Sequence, residues 1–181
     1  MLRRPDGEVY AYDPSPFKLQ MNFPDVIFTY STNSRGGKGK DDMWALANVL
    51  KKKGIASYNG CQVPPGEDWQ QDWYGRMPEA KVAVIVLSPE YFTSSHCVKE
   101  CAAILKESEM KIIPVQFGMP DMKKHFLGGS YKEIMLANMI KSRMGNVYPP
   151  PDQGGFHNDF EKHAKRLVEL VLNTLGGPST R

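Results

Sequence analysis

Val82-Ala83-Val84-Ile85-Val86-Leu87 is an unbroken apolar run, rich in β-branched residues and lacking the alternation of a strand with one wet face. Such a run reads as a central strand of a parallel sheet, covered on both sides by helices. Outward toward the N terminus, Asp25-Val26-Ile27-Phe28-Thr29-Tyr30 is again β-branched and aromatic, and it stops at the turn formers Ser31-Thr32-Asn33-Ser34. That pattern predicts a second buried strand. Between the two lie the Gly-rich stretch Arg35-Gly36-Gly37-Lys38-Gly39-Lys40, a helix start at Asp41 and Asp42, and Met43, Leu46, Ala47 and Leu50 at helical spacing up to Lys53-Gly54. Ile55-Ala56-Ser57-Tyr58 reads as a short strand, a Pro64-Pro65-Gly66 loop follows, and a tryptophan-rich helix runs from Trp69 toward Arg76 until Pro78 ends or bends it.

Toward the C terminus the pattern predicts a helix from about Ser95 to Ser108 and a strand Ile112-Ile113-Pro114-Val115-Gln116-Phe117, whose proline is tolerated most easily near a sheet edge. Residues 118–151 show no clear period beyond a short helix around 131–140. Phe156, Phe160, Ala164, Leu167, Val168, Val171 and Leu175 then give an amphipathic helix that ends at Gly176-Gly177. Strands alternating with helices imply βαβ units, hence an α/β fold with a parallel sheet of about five strands and helices on both faces. One domain over 24–175 is expected, with an irregular arm at 1–23 and a short tail at 176–181. Such sheets bind ligands at the carboxyl ends of their strands. The loops after Tyr30 and Tyr58 and the start of the Ser95 helix are therefore where chemistry belongs.

The chain has 181 residues, 41% hydrophobic and 24% charged, which suits one soluble domain and neither a disordered nor a membrane-spanning chain. No apolar stretch approaches the roughly 20 residues of a membrane span, and no signal-like segment follows Met1. A net charge of +3 is too small to argue for nucleic acid. Cys61, Cys97 and Cys101 are an odd and sparse set, which points to reduced thiols in the cytoplasm. His96, Cys97 and Cys101 could fall on one helical turn, but a zinc site needs a fourth donor, so no metal is expected.

Several chemistries are excluded by their motifs. The Gly-rich basic loop lacks the Walker spacing and reads as a solvated loop or a loose phosphate contact. The central strand ends Leu87-Ser88-Pro89, with no aspartate to phosphorylate, and no G-x-S-x-G or G-x-G-x-x-G follows a strand. In the Ser95 helix, Cys97, Cys101, Ile104 and Leu105 form the apolar stripe and Glu100 falls on its margin. From that position alone Glu100 is either a solvated or locally paired side chain or a partly desolvated carboxylate available for chemistry.

Taken together, Pro24-Asp25-Val26-Ile27-Phe28-Thr29-Tyr30-Ser31, the Pro65-Gly66 loop, Val84-Ile85-Val86-Leu87-Ser88-Pro89-Glu90-Tyr91, Ser95-His96-Cys97-Val98-Lys99-Glu100 and Ile112-Ile113-Pro114-Val115 resemble a TIR (Toll/interleukin-1 receptor) domain in order and spacing. The resemblance implies a flavodoxin-like fold and two modes of action. Some members are adaptors that only assemble with other TIR domains; others cleave the nicotinamide–ribose bond of NAD+ to give ADP-ribose or cyclic ADP-ribose species. It implies Glu100 as the catalytic residue, since it closes the helix motif. Substrate would be held by Tyr30, Ser31, Thr32, Asn33, Ser34, Pro65, Gly66, Trp69 and Cys97, with NAD+ as substrate and no further cofactor. Trp69 could equally be a core or assembly-interface residue, and the serine and threonine run could serve the turn alone. Self-association is expected to raise activity. Departures from the family pattern are His96 in place of a tryptophan, Asn59-Gly60-Cys61-Gln62 in the second box, and no Phe-Trp third box. They favour the enzyme over a receptor adaptor. A non-catalytic TIR scaffold and a nucleotide-binding module without turnover are the alternatives.

Overall fold

The computed structural model describes residues 24–60, 66, 68–120 and 147–176. The expected arm at 1–23, the helix around 131–140, Pro65 and most of the tail lie outside the described residues. Four strands, β1 (Val26–Tyr30), β2 (Ser57–Tyr58), β3 (Val82–Leu87) and β4 (Lys111–Gln116), form one sheet in the order β2-β1-β3-β4, all neighbours parallel. β3 is central and buried at every residue, as its unbroken apolar run requires.

About five strands were expected; among the described residues there are four, and a single bridge from Tyr148 to Val115 occupies the free edge of β4. The amide of Tyr148 donates to the carbonyl of Pro114. The missing N–H of Pro114 thus faces that edge and not the ladder with β3, so the proline costs no hydrogen bond. Ile55-Ala56 falls outside β2, which keeps only Ser57 and Tyr58. β4 begins and ends one residue earlier than its apolar pattern suggested, because Lys111 pairs with Val82.

The helices are α1 (Gly39–Lys52), α2 (Trp69–Arg76), α3 (Ser95–Lys106) and α4 (Phe160–Thr174). α4 is preceded by a 3-10 turn at Phe156–Asp159, where its apolar pattern suggested one continuous helix. Alternate residues of the strands face opposite layers. Val26, Phe28, Val82, Val84, Val86, Ile113 and Val115 pack with α1 and α4, while Ile27, Ala83, Ile85, Leu87 and Ile112 pack with α2 and α3. Caps match local sequence: Asp68 accepts from the amides of Gln70 and Gln71 at the start of α2, and the hydroxyl of Ser94 accepts from that of Cys97 at the start of α3.

The basic loop after β1 exposes Gly36, Gly37, Lys38 and Lys40 to solvent, but Arg35 ties it back to α1. Arg35 (φ 50°) and Gly36 (φ 68°) make a left-handed turn. That conformation costs a non-glycine residue roughly 1 kcal/mol or more. Arg35 is held there by two hydrogen bonds to Asp42, at 2.9 and 2.8 Å, with its guanidinium 5.8 Å above the Phe117 ring. Gly39 opens α1 in contact with the preceding loop: a Cβ there would lie 1.8 Å from the carbonyl oxygen of Ser31.

Candidate functional site

The strand order reverses between β1 and β3, since the chain leaves β1 for β2 on one side and returns to β3 on the other. At the carboxyl ends of the strands beside that switch lies a cavity of about 280 Å3. β1 and its loop supply Phe28, Tyr30, Ser31 and Thr32; the end of β2 supplies Gly60; α2 supplies Trp69 and Trp73; and Ser94, His96, Cys97 and Glu100 come from the start of α3.

Glu100 is 7% exposed, well inside the margin its helical position suggested, and lines the cavity floor. Thr29 donates its hydroxyl to Oε2 at 2.5 Å, and Thr29 Oγ1 is 2.8 Å from the hydroxyl of Tyr91, which also reaches the carbonyl of Cys97 at 3.3 Å. Burial pushes the Glu100 carboxyl up to about 7 against the opposing pull of the Thr29 hydrogen bond. It is therefore poised to change charge at neutral pH. Burial also pushes the Cys97 thiol up to about 12, so that side chain is a neutral wall whose Sγ donates to the carbonyl of Tyr30.

Trp69 lies across the mouth, 38% exposed, its ring edge-on to His96 at 5.2 Å. Gly60 makes room for it: a Cβ at Gly60 would come within 3.2 Å of the indole. Gln70 hydrogen-bonds His96 through Nδ1. One turn along α2, Trp73 is buried and donates its indole N–H to the carbonyl of Phe28 at 3.0 Å, tying α2 to β1.

The structure thus brings together Tyr30, Ser31, Thr32, Trp69, Cys97 and Glu100. Asn33, Ser34 and Gly66 are outside the lining; Asn33 and Gly66 are exposed, and Ser34 is buried beneath the left-handed turn. Residue-type reasoning passed over Thr29, Tyr91 and Trp73. Strand parity placed Thr29 with Ile27 on the α3 face, and helical spacing placed Trp73 one turn after Trp69, so both signals were present. Among the described residues no three His, Cys, Asp or Glu side chains converge to hold a metal, and no helix is long and apolar enough to cross a membrane.

The cleft is flanked by β1 and by the helix carrying Ser95 to Glu100, and a family model described as a TIR domain matches residues 34–142, over half the chain. The chain belongs to the TIR-domain family. Among solved structures, this TIR domain is similar to the TIR domains of the activated Roq1 resistosome that directly recognises the pathogen effector XopQ. The TM-score is 0.62 with 17% identity, over 82% of this chain and 99% of that one. At that identity the likeness is one of fold. No curated protein matches the chain.

Proposed function

We propose that this TIR domain cleaves the nicotinamide–ribose bond of NAD+, releasing nicotinamide and ADP-ribose or a cyclic ADP-ribose species. The setting would be cytoplasmic, in immune or cell-death type signalling, and self-association would raise activity. The observation that carries the reading is Glu100, a buried carboxylate hydrogen-bonded by Thr29 on the floor of a cleft whose mouth holds an exposed tryptophan. When the glycosidic bond breaks, its electron pair stays with the ring nitrogen and neutralises the pyridinium, so the leaving group needs no acid. The ribose is left with oxocarbenium character. An ionised carboxylate in a site of low dielectric stabilises that positive charge, as carboxylates do in glycoside cleavage. Water, or a nitrogen of the adenine, then bonds to the anomeric carbon and a proton passes from the adduct to solvent, giving the linear or the cyclic product.

Trp69 suits the cationic ring, because indole is the best of the aromatic faces for a cation and gives up this contact as the charge is lost. Ser31 and Thr32 offer hydroxyls at the rim. The resemblance to TIR domains of an activated resistosome supports a reading in which copies assemble. Incubating the purified protein at high concentration with NAD+ and following nicotinamide release tests this. Release that disappears in Glu100→Gln is the expected result; no Glu100-dependent release under assembling conditions would leave the scaffold reading in its place.

A further inference from the structure

Beneath Glu100 lies a chain of two buried hydroxyls. Thr29 is 1% exposed and Tyr91 0%. Thr29 Oγ1 is 2.5 Å from Glu100 Oε2 and 2.8 Å from the Tyr91 hydroxyl, which is 3.3 Å from the carbonyl of Cys97. Each hydroxyl has one proton to donate, so the order of donors depends on the charge of the carboxyl. With Glu100 ionised, Thr29 gives its proton to Oε2 and Tyr91 donates back to Thr29. With Glu100 protonated on Oε2, the oxygen that faces Thr29, the carboxyl donates to Thr29, Thr29 to Tyr91, and Tyr91 to the Cys97 carbonyl. Both orders satisfy every buried polar group in the chain, which buried polar groups demand.

We propose that Thr29 and Tyr91 are positioning residues for Glu100, forming a hydroxyl chain whose donor order reverses with the charge of the carboxyl and which holds Oε2 so that Oε1 meets the substrate. This rests on the reading of Glu100 as the group that faces the ribose. The chain is not a proton exit: beyond Thr29 the Tyr91 hydroxyl meets only the backbone carbonyl of Cys97 and the buried thiol of Cys101, both on α3, and Tyr91 is itself fully buried. Burial holds the Tyr91 phenol well above 10, so it stays a donor throughout. The other titratable groups near the carboxyl are Tyr74 on α2, Cys97 and Cys101 on α3 itself, and His96 at the cavity rim.

The two hydroxyls make opposite demands, and that difference is the test. Removing the Thr29 hydroxyl costs the ionised carboxylate a charge-assisted bond, so the Glu100 midpoint rises in Thr29→Val by about one unit. Removing the Tyr91 hydroxyl orphans the Thr29 proton only when Glu100 is protonated, so the midpoint falls in Tyr91→Phe by roughly half a unit. Thr29→Ser keeps the chain and stays near wild type. The midpoint is read from the carboxyl carbon of Glu100 by NMR, assigned by its loss in Glu100→Gln, with circular dichroism to confirm each fold. An unchanged midpoint in Thr29→Val, or a Tyr91→Phe shift in the same direction as Thr29→Val, overturns the proposal. Should Thr29→Val not fold, Thr29→Ser and Tyr91→Phe decide it by the same midpoints. Nicotinamide release is followed in parallel: a wild-type protein without it refutes the NAD+ reading, while the titrations still decide the chain.

Discussion

Replacing Glu100 by glutamine is expected to stabilise the fold at neutral pH while removing activity, and the effect carries its own pH signature. The carboxyl rises from its ordinary 4.5 to about 7, chiefly because burial penalises the charge. At roughly 1.4 kcal/mol per unit this is about 3 kcal/mol. The sign follows from proton counting. Between pH 4.5 and 7 the folded chain binds more protons at Glu100 than the unfolded chain does, so the folded state loses stability as pH rises through that window. Below 4.5 both states are protonated and the full contribution is present; above 7 both are ionised and it is gone. Glutamine does not titrate and its carbonyl can still accept from Thr29. The stability of Glu100→Gln minus that of wild type should therefore climb by about 3 kcal/mol between pH 4.5 and 8, with other titrating groups cancelling in the difference. For a domain of this size that is roughly 6–12 °C in Tm. Urea unfolding of both proteins across this range reads it directly, with an unchanged m-value as the check that the unfolded states match. A difference that stays flat with pH would mean that Glu100 titrates as an ordinary exposed glutamate, and the desolvated-carboxylate account of the site would be wrong.

The same ionisation should shape turnover: kcat/KM for nicotinamide release is expected to rise through about pH 7 as Glu100 ionises, with the limb of kcat displaced to lower pH because a bound pyridinium favours the carboxylate. A profile flat from pH 5 to 8 would refute it. Trp69→Ala should lower kcat/KM roughly 10-fold or more through lost stacking while costing only a few degrees of Tm, since the indole is already partly exposed; steady-state kinetics beside a thermal melt separates the two. Gly39→Ala places a methyl group against the Ser31 carbonyl and should cost roughly 1–3 kcal/mol in urea unfolding, with NAD+ cleavage falling too because Ser31 and Thr32 line the cavity. Wild-type stability in that variant would show that the loop yields freely.

What could be read from the linear chain divides along a physical line. β3, α3 and α4 were legible because their signal is burial period, a property each segment carries by itself. That the sheet is parallel followed from the alternation of strands and helices, and the position of the cleft from the rule that such sheets bind ligands at the carboxyl ends of their strands; the strand order itself was read only from the structure. Boundaries were less legible. Ile55 and Ala56 have strand-like side chains, yet β2 is only Ser57 and Tyr58, which pair with Val26 and Ile27 at the start of β1. Phe156 shares the period of α4, yet sits in a 3-10 turn where Phe117 stacks on it at 5.2 Å, a contact across the fold that no local pattern contains.

The carboxylate at the centre of the site illustrates the same division more sharply. Helical spacing placed Glu100 at the margin of an apolar stripe, and at a margin a glutamate can lean toward water. Whether it does is decided by what faces it, and Thr29 and Tyr91 reach it from 71 and 9 residues away in sequence, with only the first bonded to it directly. A threonine in a buried strand is unremarkable by itself, since its β-branch suits the sheet. Its hydroxyl acquires a use only because β1 runs beside β3, whose continuation carries α3 back over the same face. Burying a carboxylate costs free energy that a chain selected for stability alone would avoid, and here the cost is met beside the switch point, where the sheet opens a cleft. That coincidence of an expensive group with an accessible cavity, and not the glutamate or the cavity separately, is what makes Glu100 the residue on which the chemistry of this domain should turn.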